Sequence, residues 1–235
     1  FEKPVGILEE CLIELRSLID DGHMPGNKIG RMGLPLEAEG RGKPAIWVAG
    51  HGPRMLRLTA QYGDGWVPAW WMSPDEYGQK LSTIIDYANS FGRPTPEASL
   101  LTFVLFSESI DKAEEMFEKE PLGKLFGLFA MGDIWESNGL EHPLGNDSKG
   151  FIDVIIHDLN ADDLRDLAPT IPFEMVKEVL FIGNAQEFGQ QFEGYAKAGL
   201  EHLIIGNLTG VVGGMDEILA RGMELPQLMS VLKEL

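Results

Sequence analysis

At 235 residues and 44% hydrophobic the chain can bury a sizeable core, but its formal net charge of −18 excludes a phosphate-backbone surface, which needs clustered Lys and Arg. No apolar run approaches the ~20 residues of a bilayer span, and the start "FEKPVGILEE" lacks the basic and apolar stretches of a secretory leader. A lone cysteine, Cys11, excludes an internal disulfide and a cysteine-based zinc site, so the expectation is a cytoplasmic protein with a small-molecule partner and neither nucleic acid nor membrane as a partner.

Pro4 suits the first turn of a helix, and Leu8, Leu12, Leu15 and Ile19 recur at helical spacing until Asp20, Asp21 and Gly22 end the pattern. Cys11, among those leucines, is expected to be a small core residue. From His23 to Pro44 the chain is rich in Gly, Pro and charge and reads as a long loop. Ala45 to Ala49 is a short apolar run, as in a strand covered on both faces, and Met55, Leu56, Leu58 and Ala60 then suit a helix. Trp66 to Ala69 makes a second strand, followed by a helix capped by Ser73, opened by Pro74 and closed by Gly92. Ser99 to Phe106 is a third strand and His202 to Ile205 a fourth, with helices around Ile110 to Phe117 and Ala185 to Ala198. Leu180 to Ile182 is only a short apolar piece. Strands separated by helices imply α/β architecture with a parallel sheet, and four strands are too few for a closed (β/α)8 barrel.

The turn Ala49, Gly50, His51, Gly52 and Pro53 joins a strand to a helix. Glycine permits close backbone approach, and the first helical N–H groups point outward without intrahelical partners, so such a turn can receive an anion, typically a phosphate. The alternative is a tight connection that needs glycine only to turn. It is neither G-x-G-x-x-G nor a Walker loop. Trp70 and Trp71 follow a strand at the edge where α/β proteins bind ligands; they suit either a pocket wall for a flat ring or lipid, or core packing. Phe126, Phe129 and Met131 either line an apolar cavity or anchor the segment that holds them. Asn207, just past the last strand, is a candidate contact on the same rim. His23, His142, His157 and His202 show no metal-ligand spacing, and no G-x-S-x-G elbow is present, so no metal is expected and no catalyst is apparent.

Taken in order, "FEKPVGILEECLIELRSLI", "PAIWVAGHGPRMLRLTAQYGDGW", "DIWESNGLEHPLG" and "YAKAGLEHLIIGN" resemble the bacterial-luciferase-like superfamily. Within it they resemble the coenzyme F420-dependent reductases, phthiodiolone ketoreductase-like proteins first and methylenetetrahydromethanopterin reductase more distantly. The resemblance implies a TIM-barrel (β/α)8 fold of which residues 1–235 form one C-terminal part, about strands five to eight, with an insertion at about 118–170. The family's first four strands, which carry its catalytic acidic residue and histidine, would precede Phe1. It also implies that Ala49, Gly50, His51, Gly52 and Pro53 contact the deazaflavin F420 chiefly through backbone groups, while Trp70, Trp71, Lys177 and Asn207 face substrate. Lys177 falls near a phosphate-binding lysine of related sugar-phosphate dehydrogenases, but their second basic contact has no match in "GNLTGVVGG", which favours an apolar ketone. The implied activity is hydride transfer between reduced F420 and a carbonyl. An FMN-dependent monooxygenase and a non-catalytic half-barrel that forms a homodimer through open sheet edges are the alternatives.

Overall fold

The computed structural model describes residues 3–22, 42–68, 72–154 and 160–235; most of the expected loop from His23 to Pro44, and Trp70 and Trp71, lie outside them. The chain forms two compact units, one of Phe1–Ala69, Ser73–Leu100 and Ala198–His202, the other of Trp70–Met72, Leu101–Lys197 and Leu203–Leu235.

In the first unit, helix α1 (Pro4–Asp21) starts with Pro4 and stops at Gly22, whose left-handed backbone (φ 74) lets its N–H reach the Leu18 carbonyl. Leu12 is buried against Val48 of strand β1 (Trp47–Val48) and Leu58 of helix α2 (Pro53–Tyr62), each such side chain contributing about 1.5–3 kcal/mol. Cys11 is exposed, contrary to the sequence expectation, because one helical residue is a turn of about 100° and Leu12 takes the inward position. Strand β1 pairs in parallel with β2 (Gly65–Trp66), Trp47 opposite Gly65, and β2 pairs in parallel with the start of β3 (Glu97–Phe106), Trp66 opposite Ala98. Gly65 is required there, since a Cβ would lie 2.6 Å from the Trp47 ring. Between them Asp64 acts as a staple. Its Oδ2 accepts the Ile46 N–H at 2.8 Å, and its Oδ1 pairs with Arg16 and, at 3.5 Å, with Arg93. Helix α3 (Pro74–Ser90) is capped as read from the sequence, with Ser73 Oγ accepting the Glu76 N–H at 3.1 Å.

In the second unit, the end of β3 pairs in parallel with β4 (Phe181–Gly183), Val104 opposite Phe181, and β3 also pairs with β5 (His202–Asn207). The described residues thus contain a fifth strand; at three residues β4 is too short for any periodicity to mark it. Leu105, Met116, Phe117, Phe173, Val176 and Val212 form the core between β3 and helices α4 (Ile110–Lys119), α7 (Phe173–Lys177) and α9 (Thr209–Arg221). The segment after α4 runs through a 3-10 stretch (Pro121–Phe129), α5 (Gly132–Ser137) and α6 (Ala161–Leu167). Phe126 packs on Phe103 of β3 at 5.3 Å, Phe129 on Phe126 at 5.4 Å and Phe151 on Phe129 at 5.0 Å. These rings anchor the segment to the sheet. Helices α8 (Ala185–Lys197) and α10 (Glu224–Leu232) complete the unit. No described helix is long and apolar enough to cross a membrane.

Candidate functional site

The strand-turn-helix reading of "VAGHGPRM" is realised within the first unit: Val48 ends β1 and Pro53 is the first residue of α2. A Cβ on Gly50 would lie 2.9 Å from Met55 Cβ and 3.3 Å from Thr59 Oγ1, so only glycine lets the turn pass this close to the helix. Gly52 caps α2 in extended backbone (φ −80, ψ 158) and has no side chain to spend on the helix N–H groups. The first α-helical bond runs from the Leu56 N–H to the Gly52 carbonyl, leaving the N–H groups of Arg54 and Met55 ahead of it.

Two side chains from elsewhere fix the turn. The buried Trp66 indole donates to the Gly50 carbonyl at 2.8 Å, and Lys80 Nζ donates to the His51 carbonyl at 3.1 Å. Trp66 is itself held by a stack on Tyr77 at 4.9 Å and by Ser99 Oγ donating to its carbonyl at 2.6 Å. Among the described residues no peptide bond is cis. In a planar trans peptide the N–H points opposite to the preceding C=O, so tying the His51 carbonyl to Lys80 turns the Gly52 N–H the other way. The Gly52 N–H thus joins the N–H groups of Arg54 and Met55, which precede the first α-helical bond, at an uncapped helix N-terminus, an arrangement that can receive phosphate and other anions. A phosphate group fits these residues: donors are fixed, the cap offers no competing acceptor, and an ammonium stands behind the turn.

His51 sits half-buried beside this ammonium. Burial first, and then the Lys80 charge, lower its imidazole pKa from 6.5 to about 4, with Glu76 opposing them. It is therefore neutral at pH 7. Lys80 is also paired with Glu76 at 3.2 Å and is 21% exposed. Neither Trp66 nor Lys80 stood out in the sequence as part of the turn. Glu76 and Lys80 have the i,i+4 spacing of a surface pair, and only the tertiary structure brings Lys80 to His51.

The remaining candidate residues belong to the second unit. Lys177, exposed at the end of α7, holds its ammonium 5.5 Å from the Phe173 ring centre. Asn207 ends β5, and its Oδ1 accepts the Thr209 N–H at 3.0 Å as α9 begins. That unit also has an open pocket of about 420 Å³ where β3 and β4 end, lined by Glu108, Ser109, Ile110, Gly183, Glu187 and Gln190 among others. With two carboxylates in its wall it is unsuited to an anion.

Residues 1–202 match the model of the luciferase-like monooxygenase family, and the chain belongs to that family. It is 31% identical over 244 residues to the phthiodiolone/phenolphthiodiolone dimycocerosates ketoreductase of Mycobacterium kansasii, covering 99% of this chain and 65% of that protein. The protein of the same name from Mycobacterium bovis (strain BCG / Pasteur 1173P2) is 33% identical over 218 residues, or 87% of this chain and 56% of its own length. The chain thus spans a little over half to about two thirds of these curated relatives. Among solved structures it resembles the coenzyme F420-dependent tetrahydromethanopterin reductase from Methanopyrus kandleri, with TM-score 0.56, 14% identity and coverage of 95% of this chain and 63% of that one. It also resembles apo-MsnO8, with TM-score 0.53, 18% identity and coverage of 97% and 60%. At these identities the likeness is one of fold.

Proposed function

We propose that the chain is the cofactor-binding, C-terminal part of an F420-dependent oxidoreductase that transfers a hydride between reduced deazaflavin and a carbonyl substrate, an apolar ketone by preference. The observation that carries this reading is the clamped, uncapped turn from Gly50 to Pro53, which offers backbone donors to the phosphate-bearing side of the cofactor. The names of the mycobacterial relatives support a ketoreductase. In this reading the chain is a C-terminal part of a (β/α)8 barrel that carries the five described strands, one more than strands five to eight would supply, and the segment at about 118–170 is its insertion.

When bound, the deazaflavin would supply the hydride chemistry itself. The chain's share is binding and orientation: Gly52 and the first turn of α2 receive the anionic side, Gly50 permits close approach, and neutral His51 adds hydrogen bonding without charge. Trp70, Trp71, Lys177 and Asn207 remain the proposed substrate contacts. A proton donor for the carbonyl is assigned to no residue of this chain.

An FMN-dependent monooxygenase is the second reading, favoured by the description of the matched family. Equilibrium dialysis of the chain against F420 and against FMN separates the two. Binding of F420 at least tenfold tighter than FMN is expected, and the reverse order would replace the reductase with the monooxygenase.

A further inference from the structure

The turn presents its donors only while its peptide planes are held, and the structure assigns that task to Lys80. We infer that Lys80 is the positioning residue that sets the anion affinity of the Gly50 to Pro53 turn; the inference rests on the phosphate-binding reading of that turn. Lys80 projects from α3, a different helix from the one whose N-terminus forms the site, and its Nζ reaches the His51 carbonyl at 3.1 Å while Glu76 Oε1 takes a second contact at 3.2 Å. Through the planar His51–Gly52 peptide the bond fixes the direction of the Gly52 N–H. Its charge lies one hydrogen bond from the turn, so it draws an anion toward the helix N-terminus while binding no part of the anion through that carbonyl. Its two contacts compete: Glu76 offsets the ammonium charge that the turn would otherwise present. Lys80 therefore acts by orientation and by field. Glu76 tempers the field.

Three variants of the 235-residue chain test this: Lys80→Met, Lys80→Arg and Glu76→Gln. Each is titrated with F420 and with inorganic phosphate at low salt, and followed by NMR at Gly52 and His51. Lys80→Met should weaken F420 binding about tenfold or more, the effect expected of losing a charge-assisted hydrogen bond. It should also lower the amide order parameter of Gly52 and raise the His51 pKa above about 4. A guanidinium still donates, so Lys80→Arg should stay within about threefold of wild type, and Glu76→Gln should tighten both anions. Wild-type binding of F420 matched within twofold by a folded Lys80→Met overturns the inference and leaves the cofactor assignment standing. If the wild type fails to bind F420, the cofactor assignment falls, and an unchanged Gly52 amide in Lys80→Met overturns the clamp as well, whereas a loosened one supports it. If Lys80→Met does not fold, Glu76→Gln decides: unchanged affinity for phosphate and F420 overturns the inference, and tighter binding supports it.

Discussion

Two junctions in this molecule share one plan, a parallel strand running through glycine into a helix, and treat the helix N-terminus in opposite ways. At the end of β4, Asn184 Oδ1 accepts the N–H groups of Gln186 and Glu187 at 3.0 and 3.1 Å, and Glu187 Oε2 returns to the Asn184 N–H at 2.9 Å. Glu224 Oε2 takes the Ala185 N–H at 2.9 Å. This is a reciprocal capping box reinforced by a carboxylate from a later helix; the donors are spent, and the surroundings are negative. At the end of β1 the cap is Gly52, and the side chains that stabilise the turn bind its carbonyls instead. The other helices that follow strands side with β4: Ser73 caps α3, Ser109 caps α4 and Asn207 holds the first N–H of α9. An open helix end is thus a local choice of residue within a common topology, and with glycine as its cap the open end forgoes only a few tenths of a kcal/mol.

The comparison is broken most severely at Gly50. Gly50→Val places a Cβ within 2.9 Å of Met55 Cβ, and the branched atoms beyond it have no space. Overpacking of this kind costs about 3 kcal/mol, and the urea midpoint should fall accordingly with loss of F420 binding. A variant as stable as wild type would show that the turn can lift off α2 freely, and the rigid cradle would go with it. Gly52→Asp instead converts the open junction into the closed kind. The carboxylate caps α2 and adds charge where an anion would sit, so stability should rise by a few tenths of a kcal/mol while affinity for F420 falls about tenfold, or about 1.4 kcal/mol. Unchanged affinity would mean that the anion binds elsewhere. The reciprocal change, Asn184→Ala, removes the cap of α8 and should cost about 1 kcal/mol in urea unfolding with no effect on cofactor binding. A change in binding would show that the two junctions are not independent.

The open junction was legible in outline because its signal is local: an apolar run, two glycines and a proline in first-turn position lie within nine residues of one another. What holds it open was not legible. Trp66 and Lys80 are separated from the carbonyls they bind by 16 and 29 residues, and the local pattern around each, a short apolar strand and a charged helix face, carries no sign of the turn. Asn184 and Glu187, by contrast, carry the N-x-x-E spacing of a capping box in plain sequence, yet the strand before them is too brief to announce a junction. A finer limit applies to α1, where the helical stripe was plain and Leu12 is buried as its spacing indicates, but Cys11, one residue away, is exposed rather than a core residue beside it. The parallel α/β order was readable from alternation alone. The pairing of β5 with β3 depends on contacts that no window of sequence contains.

The smallest effect tests the electrostatics of the open junction. His51 has its pKa lowered to about 4 in the folded chain against 6.5 when exposed. As pH falls through 6.5 the unfolded chain takes up a proton that the folded one refuses until near pH 4, so folding stability declines across that window and is flat on either side of it. Solvent reaches the ring in part, which holds the loss to about 1 kcal/mol or less. In urea unfolding at pH 7.5 and 4.5, wild type should lose more stability than His51→Gln, the difference between the two chains isolating this residue from the many carboxylates that titrate nearby. Equal losses would mean that the imidazole is accessible to protons in the folded turn. Burial is the largest cause of the lowered pKa and the Lys80 charge the second, so that result would mean that the ring is more open to solvent than its half-buried position in the turn implies.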